Sequence, residues 1–276
     1  MSLTYQTTGI IVRKQGFGEN DLLITLLSPE NGLVKAIAPN ARKHQSTLRG
    51  RTELFVVNKF LMIKGKNLDR ISQVETEKTY RKLSQSLGKL TASQYLAELV
   101  LNLAITQEPQ SELYVILNEH LQRIEQLSPS ENLFPYISQS VFHFLAITGI
   151  APNVYSCVQT QEAIIPNFEQ KHWKIGFSFQ AGGLLKTLNT CKINPQSSQI
   201  PINSQLNALE LALLQSLAHK ILLPINEILP CVYPDSVIEN GWIRVEKILK
   251  GYIEFYLGHA LKSAQVINTK SLTINN

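Results

Sequence analysis

The hydrophobic period changes once along the chain, near residue 82, and no other feature constrains the fold as tightly. Before that point TTGIIVRKQ, DLLITLLS, LVKAIAP, ELFVVNKFLMIKG and DRISQVETE alternate apolar and polar residues, as strands with one buried face do. From Leu83 onward the apolar residues recur by threes and fours: Leu83, Leu87, Leu90, Leu96, Leu99, Val100, Leu103. The spacing predicts an α+β chain, with five short strands in residues 1–82 and a mainly helical domain in 83–276. Further helices are expected near 111–127, 133–148, 204–223 and 236–262. Asn31-Gly32 tolerates the positive φ angles of a tight turn, so the second and third strands should pair directly. The polar stretch 40–50 is too long for such a turn and is expected to form an excursion between strands three and four. Five strands with that excursion suit a small closed barrel of the OB type, with an SH3-like barrel as the nearest competitor.

Between residues 151 and 202 the periodicity disappears. Pro152, Gly176, Gly182, Gly183, Pro195 and Pro201 punctuate the stretch, which reads as an irregular or β-hairpin insertion within the helical domain. The chain has 276 residues, 44% of them hydrophobic and 17% charged, a globular balance. Its longest apolar stretch, NALELALLQSLAHKILLPI, is interrupted by Glu210, Gln215, His219 and Lys220, so no bilayer-spanning helix and no membrane partner are expected. The opening MSLTYQTTG has no basic start followed by an apolar run, and Cys157, Cys191 and Cys231 are an odd number spread far apart. Both features point to a reducing, cytoplasmic compartment without a disulfide framework.

Charge is distributed unevenly. Residues 1–82 hold 14 Lys and Arg against 7 Asp and Glu, and the remainder 12 against 14. Within the segment PNARKHQSTLRGRTELF and just before it, Lys35, Arg42, Lys43, Arg49 and Arg51 lie between Glu30 and Glu53 with no acid among them. A loop selected for solubility alone interleaves both signs, whereas one-signed charge repels itself unless a polyanion relieves it. Nucleic acid is the expected polyanion. The arginines offer planar forks for phosphate oxygens, Lys35 and Lys43 act as point charges, and Gly50 permits close approach. Arg13, Lys14, Lys64 and Lys66 extend the candidate DNA-binding set, with further cations at Lys59 and Arg70. Among the aromatics Tyr5, Phe17 and Phe60, Phe17 between two glycines is the candidate for base stacking.

Catalytic signatures are lacking. GFGEND has two glycines of a dinucleotide fingerprint, but Asp21 replaces the third and a strand follows where a helix is required. There is no P-loop, HExxH or GxSxG, and the six histidines stand far apart. His44 differs in sitting within the basic loop, where it adds charge at mildly acidic pH. Cys157, His172 and Cys191 could approach one another in the insertion but lack a fourth soft ligand for tetrahedral zinc. The chain is therefore expected to hold no metal or other cofactor and to be no enzyme. An RNA-binding barrel would carry the same cations, and contacts to a 2′-hydroxyl are not legible in sequence.

The order of several motifs resembles the RecO family of bacterial recombination mediators. GENDLLITLLSPENGLVKAIAPNARKHQSTLRG (18–50) is similar to that family's opening, FLAITGIAPNVYSC (144–157) to its helix ending in Gly-x-x-Pro and cysteine, FSFQAGGLL (177–185) to its Phe-Ser with following Gly-Gly, and YIEFYLGHALKSAQ (252–265) to its closing helix. The resemblance implies an N-terminal OB-fold and a helical C-terminal domain that bind single- and double-stranded DNA and anneal complementary strands. It also implies cooperation with RecR and single-strand-binding protein to load RecA, without enzymatic turnover. One departure concerns the four-cysteine zinc module of many relatives. Here Cys157 is followed by Val158, Gln159 and Thr160, Lys186 stands at the position of another cysteine, and Cys191 alone does not restore the set. The insertion is therefore expected to be held by packing.

Overall fold

The computed structural model describes residues 3–186 and 200–266, which pack as two compact units: residues up to 131 together with those from 263 onward, and residues 132–262. The first unit opens with β1 (Thr4–Phe17), β2 (Asp21–Ser28), β3 (Gly32–Ala38), β4 (Val56–Ile63) and β5 (Asp69–Thr79). Strand β1 is long enough to serve two partners. Its first half pairs with β4 and its second half with β2, with a register shift between Ile11 and Arg13. β2 pairs with β3 and β4 with β5, all antiparallel, and a short parallel pairing of β3 with β5 closes the ring in the order β1-β2-β3-β5-β4. The alternation seen in the sequence has its cause here: Ile24 and Leu26, Val34 and Ala36, Phe60 and Met62 point inward and are buried. Each large side chain among them contributes about 1.5–3 kcal/mol when taken out of water.

The β2–β3 turn differs from the expected one. Ser28 pairs with Gly32 across Pro29, Glu30 and Asn31, and only Gly32 is left-handed, at φ 61°. The turn is thus a three-residue loop followed by a left-handed glycine. A Cβ at Gly32 would lie 2.1 Å from the Ile105 carbonyl oxygen, because the segment after the first helix docks on this turn. The Leu33 N–H donates to the Ile105 carbonyl at 3.2 Å and the Gln110 N–H to that of Pro29 at 2.8 Å.

Helices α1 (Leu87–Leu103) and α2 (Ser111–Gln126) follow in this unit after a 3-10 turn at Arg81–Gln85. The switch from strands to helices thus falls where the period changes, while the contacts group α1 and α2 with the barrel. Lys89, 8% exposed, donates to the carbonyls of Glu125 at 2.8 Å and of Leu127, capping the C-terminal end of α2 with a cation.

In the second unit α3 (Phe134–Ile147) and α4 (Ala208–Ser216) pack on α6 (Asp235–Leu257), with a short α5 (Ile225–Ile228) between the last two. Gly241 lets α6 approach α4, since a Cβ there would lie 2.4 Å from a Leu209 methyl. The stretch expected to be an irregular or β-hairpin insertion holds β6 (Asn153–Cys157), β7 (Ile175–Ser178) and β8 (Gly183–Leu185) of a four-stranded sheet ordered β6-β8-β7-β9, with β7 and β8 paired antiparallel. Its fourth strand, β9 (Ser204–Leu206), occupies residues expected to be helical. The helix starts only at Ala208, because 204–206 pair with β7 and Asn207 forms a capping box with Glu210. It ends at Ser216 instead of continuing to 223. The last long helix stops at Leu257, five residues before its expected end, where Gly258 turns left-handed at φ 73° and donates to the Glu254 carbonyl at 3.0 Å. Cys191 lies outside the described residues. No helix among the described residues is long and apolar enough to cross a membrane.

Candidate nucleic-acid interface

Strand register decides which cations share a face. Arg13 stands opposite Thr25, and Thr25 opposite Lys35, so β1, β2 and β3 carry the row Arg13–Thr25–Lys35 on the outside of the barrel. The parallel pairing sets Arg70 of β5 opposite Ile37, two residues beyond Lys35 on the same outward side. Neighbouring strands lie about 4.8 Å apart, so β1 to β3 spans roughly 10 Å. Phe17, 41% exposed, ends β1 in the turn before β2, and Lys66 is exposed in the turn between β4 and β5.

The excursion runs over residues 39–55, longer than the expected 40–50, as a chain of hydrogen-bonded turns anchored by buried Ala41, Thr52 and Phe55. It docks on the β1–β2 turn. The Asn40 N–H donates to Asp21 Oδ1 at 2.7 Å, the Arg42 N–H to the Asn20 carbonyl at 2.9 Å, and the Arg42 guanidinium to the Gly18 carbonyl at 3.2 Å. Arg42 is thereby held beside the glycines that flank Phe17. Lys43, His44 and Arg49 project from the same excursion and are exposed. Among the described residues none of Arg13, Lys35, Lys43, Arg49, Lys66 and Arg70 has a carboxylate oxygen within 4.0 Å.

Besides Arg42, three residues of the expected set are otherwise engaged. Lys14 is ion-paired with Glu53. Lys64 lies 3.4 Å from Asp69 and 5.4 Å from the Tyr5 ring centre. Tyr5 also donates its hydroxyl to Asp69, and burial, reinforced by that hydrogen bond, holds its phenol well above the usual tyrosine range. Arg51 donates from its guanidinium to the Val74 carbonyl at 2.7 Å, while its own carbonyl accepts from Asn58 at 2.8 Å. Phe60 is core and Tyr5 packs against that core, which leaves Phe17 as the exposed ring of the three. Sequence reasoning did not group Arg70 with Lys35, because a parallel contact between strands 33 residues apart leaves no local signal. The outer face of β4 and β5 is instead mixed in sign, with Lys59 paired to Glu77 at 3.1 Å.

In the second unit Cys157 is buried at the end of β6. Burial pushes its thiol up, yet the N–H groups of Lys186, Thr160 and Gln159 and the Thr160 hydroxyl together outweigh that effect and hold it below the usual range. Lys186 pairs with Glu162, and this hydrogen bond and charge hold the Glu162 carboxyl low. No group of three or more His, Cys, Asp or Glu able to hold a metal occurs among the described residues, so Cys157 and His172 join no such set.

Fold and charge define a class, a closed five-stranded barrel with a one-signed outer row, followed by helices and a small second sheet. Two family models match the chain, "Recombination protein O N terminal" over residues 1–80 and "Recombination protein O C terminal" over residues 84–218. The DNA repair protein RecO of Gloeothece citriformis is 47% identical over 277 residues, covering 98% of each chain. That of Trichodesmium erythraeum is 43% identical, covering 100% of this chain and 99% of the relative, and that of a Synechocystis strain 42%, covering 98% of each. The chain belongs to the RecO family of DNA repair proteins, and its general role is DNA repair.

Proposed function

We propose that this chain is a non-catalytic recombination mediator of the cytoplasm that binds single- and double-stranded DNA and anneals complementary strands. In this reading it helps load RecA onto strands coated by single-strand-binding protein, in cooperation with RecR. The observation that carries the proposal is the row Arg13, Lys35 and Arg70 without carboxylate partners, flanked by Phe17 with Arg42 on one side and by Lys66. We read the barrel as an OB-fold, because its strand order and parallel closure match the architecture whose β2–β3 face and flanking loops bind oligonucleotides. Residues 1–82 act as the DNA-binding domain and 83–276 as the domain for protein partners. We read the second sheet as a degenerate zinc module that packing sustains.

The chemistry is neutralisation. Cations that contact phosphates release condensed counterions, and the entropy of that release drives binding. Two approaching strands repel until bound cations lower their joint charge, so the surface that binds one strand also lowers the barrier to annealing. The exposed Phe17 ring offers a stacking face for one base. The test is annealing of labelled complementary strands, bare and coated with cognate single-strand-binding protein, over a salt series without ATP. Faster annealing that salt suppresses in parallel with binding supports the reading. No acceleration on either substrate overturns it.

A further inference from the structure

The second unit carries a cleft of about 400 Å³ far in character from the basic barrel face. It is walled by Phe168 and Trp173 from the segment before β7, by Tyr233 and Val237, and by Glu210 in the first turn of α4. All three rings are half-buried. Glu210 spends one carboxylate oxygen on the Asn207 N–H at 3.0 Å to close the capping box. Burial raises its pKa, outweighing the Asn207 N–H and the charges of Arg244 and Lys174, which act in the opposite sense. Lys171 also lines the cleft and is exposed.

Tyr233, Val237 and Asn240 bring part of the segment that leads into α6 to the cleft wall. Residues 221–240, ILLPINEILPCVYPDSVIEN, hold Glu227, Asp235 and Glu239 and no Lys or Arg. Val232 is 99% exposed and Val237 41%. An aromatic recess with a carboxylate suits a cation, whose attraction to ring faces grows once it leaves water. The exposed Val237 on its wall adds a demand that a free small cation does not meet. We propose that this cleft receives an Arg or Lys side chain of a partner protein, held between the aromatic walls and the Glu210 carboxylate, with Val232 and Val237 meeting apolar side chains beside it. The site is independent of the DNA reading.

The test uses the full chain and three capped peptides, acetyl-Leu-Arg-Leu-amide, its Glu counterpart and its Gln counterpart, titrated while the Trp173 indole N–H is followed by NMR. The Arg peptide should shift that signal saturably and bind at least roughly fivefold tighter than the Glu peptide. Glu210→Gln keeps the capping bond and removes the charge, and should weaken the Arg peptide by roughly threefold to tenfold without affecting DNA binding. Val237→Ser, read by the same signal, should weaken all three peptides alike. Equal binding of the Arg and Glu peptides, an unaltered affinity in Glu210→Gln, or no saturable shift at all would overturn the proposal.

Discussion

The Arg51 guanidinium donates a hydrogen bond to the Val74 carbonyl at 2.7 Å, tying the excursion to β5. A residue assigned by sequence to phosphate recognition is thus also a fastener of the loop that carries its neighbours. Arg51→Ala should cost about 1–2 kcal/mol of stability through the lost charge-assisted bond, whereas Arg49→Ala should stay within about 0.5 kcal/mol. Urea unfolding of the two variants separates these roles. Equal stability of both variants would show that the Val74 bond contributes nothing.

The free cations should dominate the salt dependence of DNA binding. Replacing Arg13, Lys35 and Arg70 by Ala should reduce the slope of log K against log salt by about 0.7–0.9 per lost phosphate contact. The paired cations Lys14 and Lys64 already face Glu53 and Asp69, so their Ala variants should change the slope less. Titrations with a labelled single strand at several salt concentrations decide between the two sets. A larger loss from the paired set would relocate the binding face.

Phe17 should act through stacking. Phe17→Ala should lower single-strand affinity by about 1–3 kcal/mol while leaving the salt slope unchanged, since the ring carries no charge, and Phe17→Trp should restore the affinity. A change in slope with the Ala variant would mean that Phe17 only positions Arg42, which is held at the adjoining Gly18.

The second sheet should be independent of zinc. Elemental analysis should find no stoichiometric zinc, and chelators should leave the melting temperature unaltered. Zinc at one per chain, lost together with the fold in Cys157→Ser, would overturn this. The same sheet gives a pH signature. The folded-state pKa of Glu162 is lowered by Lys186, so the pair stabilises fully above the unfolded value near 4.5, and that contribution fades as pH falls through the folded value. Wild type and Lys186→Gln should therefore converge in stability at low pH and separate above it, as thermal melts across that range will register.

A fragment of residues 1–131 should fold more stably than one of residues 1–82. The β2–β3 turn donates and accepts hydrogen bonds with residues 105–111, and Gly32 is shaped to that contact. Far-UV circular dichroism on the two fragments measures the difference, and equal melting temperatures would show the docking to be passive.

The sequence by itself determined the element types and the charge. Alternation at period two placed Ile24 and Leu26 or Val34 and Ala36 inside, and the lack of acids between Glu30 and Glu53 marked a one-signed basic segment, because both signals lie within a few residues of each other. Helix onset was legible where a period alone decides it and failed at 204–206, where pairing with a distant strand overrode a helical pattern. Only the tertiary structure decided which cations stand together and which are already matched. The parallel contact of β3 with β5 brings Arg70 toward Lys35, and the pairing of Lys14 with Glu53 joins residues 39 apart. Such partners are chosen by closure of the ring and by burial, which act across the whole chain, so no local window contains them.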